Sequence, residues 1–178
     1  GYLVLTTNDL KSVTTAVGAY ALQKNATGEW NSALGAYALR ENTQGGYNAA
    51  FGNESLKNNT TGSDNAAFGV QSLLNNLSGG SNSAIGRDAL YYNTQGSYNS
   101  AFGNGALRYA TSSWNNAAIG YSALGGSQIG IGNNNTAIGA QAGGGASTIG
   151  YGNVFIGFQA GYFENQSNKL YIDNSNTA

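Results

Sequence analysis

A chain of 178 residues with a net charge of −1 and 8% charged side chains offers a polyanion little to hold, which argues against a nucleic-acid partner. Aromatics at 11% and hydrophobic residues at 40% are too frequent for a disordered polar chain. Cys, His and Pro are all absent, which removes disulfides, ordinary zinc, copper or haem sites and every Ser-His or Cys-His nucleophile, so neither a catalytic residue nor a cofactor is expected.

The opening GYLVLTTNDL alternates like an ordinary strand and predicts an N-terminal cap over residues 1–13. Apolar runs are short throughout, so no membrane-spanning segment is expected. With no Met and no basic-then-apolar leader, the chain reads as a processed product or a piece of a longer one.

From residue 14 to 126 one sentence repeats. The Gly closing each A-x-G triplet falls at Gly18, Gly35, Gly52, Gly69, Gly86, Gly103 and Gly120, a spacing of 17 residues, and then loosens at Gly139 and Gly157. Four residues after each of the first seven stands Leu, from Leu22 to Leu124, and the unit reads N-x-A-[VILF]-G-x-x-[AS]-L-x-x-N-x-x-G-x-x. Seventeen residues cannot hold two helices, but they accommodate two short strands and two turns. The expected fold is all-β: a parallel β-solenoid or β-roll of about nine coils, each about 4.8 Å above the last, in a rod about 43 Å long.

That geometry explains the fixed letters. Asn31, Asn48, Asn65, Asn82, Asn99 and Asn116 would stack as an amide ladder, and Asn42, Asn59, Asn76 and Asn93 would cap the N-T-x-G-like loops they open. Gly35, Gly45 and their equivalents mark turns that need positive φ. One strand column is nearly all Ala (16, 33, 50, 67, 84, 101, 118 and 137). The adjacent one is large and apolar (Val17, Leu34, Phe51, Phe68, Ile85, Phe102, Ile119, Ile138 and Ile156). Neighbours in a strand point to opposite faces, and Ala38–Leu39, Ser55–Leu56 and Ala89–Leu90 suggest a second strand of the same kind. A strand apolar on both faces is covered on both, so a narrow roll with one interior requires another chain. The unit blurs over residues 127–163, where Gly143 and Gly161 replace Leu and Phe155, Phe158, Tyr162 and Phe163 gather; this predicts thinner, re-registered coils. Residues 164–178 read as a neck.

The columns N-x-A-[IF]-G followed by A-L resemble the head repeats of trimeric autotransporter adhesins. With their N-T-T-G loops they also resemble repeat arrays of phage tail-fibre-like and bacterial surface proteins. The closing SNKLYIDNSNTA, residues 167–178, is similar to sequence that joins such arrays to an endosialidase-type intramolecular chaperone domain. The resemblance covers about residues 14–178 and implies a left-handed homotrimer on a cell or virion surface.

Variable positions mark the outside. The residue before the Asn ladder is Trp30, Tyr47, Asp64, Ser81, Tyr98 or Asn115, with Trp114 one place earlier. Exposed rings beside amides commonly hold sugars, so Trp30, Tyr47, Tyr98 and Trp114 are the candidate contacts for a carbohydrate or cell-surface receptor; equally, such rings can cover neighbouring coils. The expectation is a non-enzymatic structural and adhesive module of an adhesin or tail fibre, acting extracellularly. A self-assembling filament subunit is the alternative. Ice binding through Thr43, Thr60, Thr94 and Thr111 ranks lower, as does glycan processing by Glu54 and Asp88, which fall two coils apart.

Overall fold

The computed structural model describes residues 14–126 and 130–173, so the expected N-terminal cap strand lies outside the described residues. The chain forms an all-β parallel solenoid, with no helix among the described residues. Its strands are β1 Thr15–Val17, β2 Ser32–Leu34, β3 Ala49–Phe51, β4 Ala66–Phe68, β5 Ser83–Ile85, β6 Ser100–Phe102, β7 Ala117–Ile119, β8 Gly130–Ile131, β9 Thr136–Ile138, β10 Thr148–Ile149, β11 Val154–Ile156 and β12 Leu170–Ile172. Ten of them make one sheet in the order β1-β2-β3-β4-β5-β6-β7-β9-β11-β12, and β8 pairs with β10 in a second sheet. Register is set by the repeat: Ala16 pairs with Ala33, Ala33 with Ala50, and Leu34 with Phe51. The last segment, expected as a neck, carries β12, which pairs with β11 and adds a further rung.

Each regular coil contains one strand, where two were expected. After Gly35 the chain tightens into successive turns: Ala38 N–H donates to Gly35 C=O, Arg40 N–H to Tyr37 C=O and Asn42 N–H to Leu39 C=O. Tyr37 and Leu39 take φ of +62° and +51°. Left-handed residues at alternate positions abolish the pleat, so Ala38 and Leu39 both point inward and both are buried. A Leu in this conformation costs about 1 kcal/mol, and its full burial, worth about 1.5–3 kcal/mol, offsets that. The interior is thus the Leu column from Leu22 to Leu124 facing the Ala column from Ala16 to Ala137.

The Asn ladder forms as its spacing predicts. Asn31 Oδ1 accepts both the backbone N–H and the side-chain amide of Asn48, at 3.0 and 3.1 Å, while Asn48 Nδ2 also donates to Gly62 C=O at 2.9 Å. The Asn residues expected to cap the loops form a second ladder as well. Asn42 Nδ2 does cap its loop through Gly45 C=O, at 2.9 Å, and it also donates to Asn25 Oδ1 at 2.7 Å. Asn42 and Asn48 are buried with their amides hydrogen-bonded, as a low-dielectric interior demands. Gly35 has the positive φ expected of it, +144°. Gly45 does not; it is needed because an added Cβ would lie 2.2 Å from Gly62 C=O and 2.6 Å from Asn42 Oδ1.

Candidate binding surface

The outward strand face carries two columns. Ser32, Ala49, Ala66, Ser83, Ser100 and Ala117 form a shallow one, and two residues along, the large apolar column rises beside it. Most of that second column is 37–50% exposed, as at Val17, Leu34, Phe68, Ile119 and Ile156. The Ala and large columns therefore lie on opposite faces, the Ala buried within the chain and the large groups on its surface. Phe51 and Phe68 stack along the ridge with centroids 4.8 Å apart.

A second surface runs along the turn before the Asn ladder. There Trp30, Tyr47 and Tyr98 adopt φ of 57–60°, a left-handed kink beside the buried Asn that leaves their rings outside. Trp30 and Tyr47, one rung apart, stack at 6.3 Å with planes 9° from parallel. Tyr98 lies three rungs beyond Tyr47 in the same column, between Ser81 and Asn115. Trp114 stands one column aside and one rung above Tyr98, with its backbone N–H bonded to Asn133 Oδ1 at 2.8 Å. The four sequence candidates thus form two separate pairs.

Two further clusters lie on the turn after the Gly that closes each A-x-G triplet. Tyr20 and Tyr37 stack at 5.2 Å, with Arg40 and Lys57 over the Tyr37 ring. Glu54 accepts from Lys57 and Gln71, and these hydrogen bonds, Gln71's first, hold its carboxyl below the ordinary range. The Lys24 hydrogen bond does the same for Glu41, with Arg40 adding to it. Higher up, Tyr92 stacks on Tyr109, and Arg108 reaches over Tyr91 and Tyr109 towards the buried Asp88, 3.7 Å away. Tyr91, Tyr92 and Tyr109 were missed from the sequence, although reading each column from rung to rung aligns Tyr92 with Tyr109 and Tyr91 with Arg108.

Three of the four Thr hydroxyls are occupied. Thr43 Oγ1 donates to Thr60 C=O, Thr60 Oγ1 to Leu77 C=O and Thr94 Oγ1 to Thr111 C=O, which gives that column a structural reason. Among the described residues no group of three or more His, Cys, Asp or Glu is placed to hold a metal ion, and no helix is long and apolar enough to cross a membrane. Comparison with family models, with curated proteins and with solved structures finds no match for this chain.

Proposed function

We propose that the chain is a non-enzymatic structural and adhesive module, a rod segment of an adhesin or tail fibre that works as a homotrimer on an extracellular cell or virion surface. The observation that supports this is the apolar ridge. It follows the rod for about 43 Å and, at about 10 Å wide, presents roughly 400 Å² of contiguous apolar surface. A patch of about 400 Å² matches the largest found on ordinary monomers, and such patches are often functional. A ridge beside a shallow Ser/Ala groove suits a heterologous contact, the ridge of one copy entering the groove of the next, and such contacts make a closed ring when the rotation between copies closes. Light scattering should give three times 18.2 kDa. Phe68→Asp, which sets a charge on the ridge, should reduce that mass to one chain or abolish folding. A wild-type monomer would overturn the assembly reading.

The filament alternative draws on β12, the last strand of the sheet among the described residues, where Leu170 and Ile172 are 67% and 72% exposed. Unpaired strand ends are templates for another chain. A mass that keeps growing with concentration would favour it.

A further inference from the structure

We infer that Tyr98, Trp114 and Tyr151 form one strip that binds a neutral oligosaccharide of about four rings, laid along the rod axis. This rests on the adhesive reading and says where and what the module would bind. The aromatic surface divides in two. At its N-terminal end, Trp30 and Tyr47 spend ring faces on each other, in a stretch that also carries Glu29 and Asp64. Beyond it, Tyr98, Trp114 and Tyr151 are 60%, 50% and 62% exposed, and no ring–ring contact among the described residues involves them.

The rungs set the three rings one above another in two adjacent columns. Asn115 N–H donates to Ser97 C=O, Asn134 N–H to Trp114 C=O and Gly152 N–H to Asn133 C=O, so Trp114 is one rung above Tyr98 and Tyr151 is two above Trp114. The strip spans about 14 Å. One rung is close to the advance per residue of an extended glycan chain, so successive sugars would meet successive coils. Between the rings stand polar groups of the right kind: Asn115, whose amide reaches Asn134 Oδ1, and Asn133, whose Oδ1 is held by Trp114 N–H. Hydroxyl and amide groups flanking exposed rings suit a sugar, whose C–H face stacks while its hydroxyls exchange hydrogen bonds. From Ser81 to Asn168 neither of these two columns contains a charged residue, which is the reason to expect a neutral glycan.

The repeat itself supplies tolerated replacements. Asn occupies the Tyr98 position in three other coils and Ser the Trp114 position in others, so Tyr98→Asn, Trp114→Ser and Tyr151→Ser should leave the coil intact. The probe is an immobilised panel of neutral hexose and N-acetylhexosamine oligosaccharides of three to six rings, with sialylated counterparts. The wild type should bind neutral members, with little change at high salt. The triple variant should bind at least about tenfold more weakly, and Trp114→Ser alone about fivefold, with melting within a few degrees of wild type. Trp30→Ser with Tyr47→Ser should bind normally. The inference is overturned by a wild type that binds no neutral member, by a folded triple variant that binds as well as wild type, or by equal loss in the Trp30/Tyr47 variant. Mass measured on the same samples keeps the two readings apart: a trimer that binds nothing sinks only this one.

Discussion

The coils from β1 to β7 and those from β9 to β12 enclose the same space with opposite allocations of volume. In the first set a fully buried Leu faces an Ala, rung after rung, as Leu39 does Ala33. In the second, Gly143 and Gly161 occupy the Leu positions, and the Ala position passes to Phe155 and then Tyr171. An added Cβ would come within 2.7 Å of the Phe155 ring at Gly143 and 2.3 Å at Gly161. One ring thus does the work of two leucines, and the coils are re-registered without being hollow. Backbone strain moves as well, because Gly143 and Gly161 keep φ near +60° at no cost while each Leu pays for it. The lesson is that the left-handed turn is the invariant of this rod, and the residue in it is free to change if another column compensates.

The largest effect should follow from breaking that exchange. Phe155→Ala empties the core between two Gly positions and should cost about 3–5 kcal/mol. Gly161→Leu alone forces a side chain into the Phe155 ring and should be comparably damaging. Combined, they rebuild a regular coil, and urea titration should show the double variant recovering more than 1 kcal/mol relative to the sum of the singles. Additive losses would mean that the two columns are not exchanging volume.

A second boundary lies between the regions. The inner ladder of Asn25, Asn42, Asn59, Asn76 and Asn93 stops where the next rung has Ala110, leaving Asn93 Oδ1 buried without a partner. In that same coil Ser113 occupies the position held elsewhere by Gly, a position where a Cβ would meet the ladder amide. The two departures belong together: removing the Asn makes room for the Ser. Ala110→Asn alone should therefore destabilise by about 1–3 kcal/mol through overpacking. Ala110→Asn with Ser113→Gly should restore a rung and stabilise by about 1 kcal/mol. A single Ala110→Asn more stable than wild type would show that Ser113 does not fill that space.

Much of this was legible in the sequence, for physical reasons. A pleat imposes a period of two, so the Ala and large columns could be assigned to opposite faces, and a fixed 17-residue spacing predicts stacked amides. The turn through Tyr37 and Leu39 could not be read, because Leu seldom adopts positive φ and nothing in A-Y-A-L marks it. The exchange between Phe155 and Gly161 was hidden because it crosses columns. Of the surface rings, four were found by their offset in the unit. Tyr151 escaped because the repeat had lengthened before it, and the pairing of Trp30 with Tyr47 required knowing what stands one rung away.

The smallest expected effect separates the regions by acidity. Carboxylates held low by side chains that also include a cation lie in the early coils: Glu41 with Lys24 and Arg40, and Glu54 with the Gln71 amide and Lys57; in the late coils Glu164 is held low chiefly by the Tyr171 hydroxyl, on a more exposed stretch. A carboxyl whose folded pKa lies below its unfolded value adds stability above the unfolded value, about pH 4.5, and that stability is lost as pH falls through the lowered folded value. Glu41 and Glu54 are both near the surface, so each contributes only about 0.2–1 kcal/mol. Acid should therefore loosen the coils around Glu41 and Glu54 before the Leu-and-Ala core fails. Hydrogen exchange at pH 3 and pH 6 should show protection falling first between Lys24 and Gln71. In a Glu41→Gln/Glu54→Gln variant that local loss should shrink, because amides do not titrate and can still accept from the same Lys and Gln donors. An unchanged acid response in the variant would place the sensitivity elsewhere on the rod.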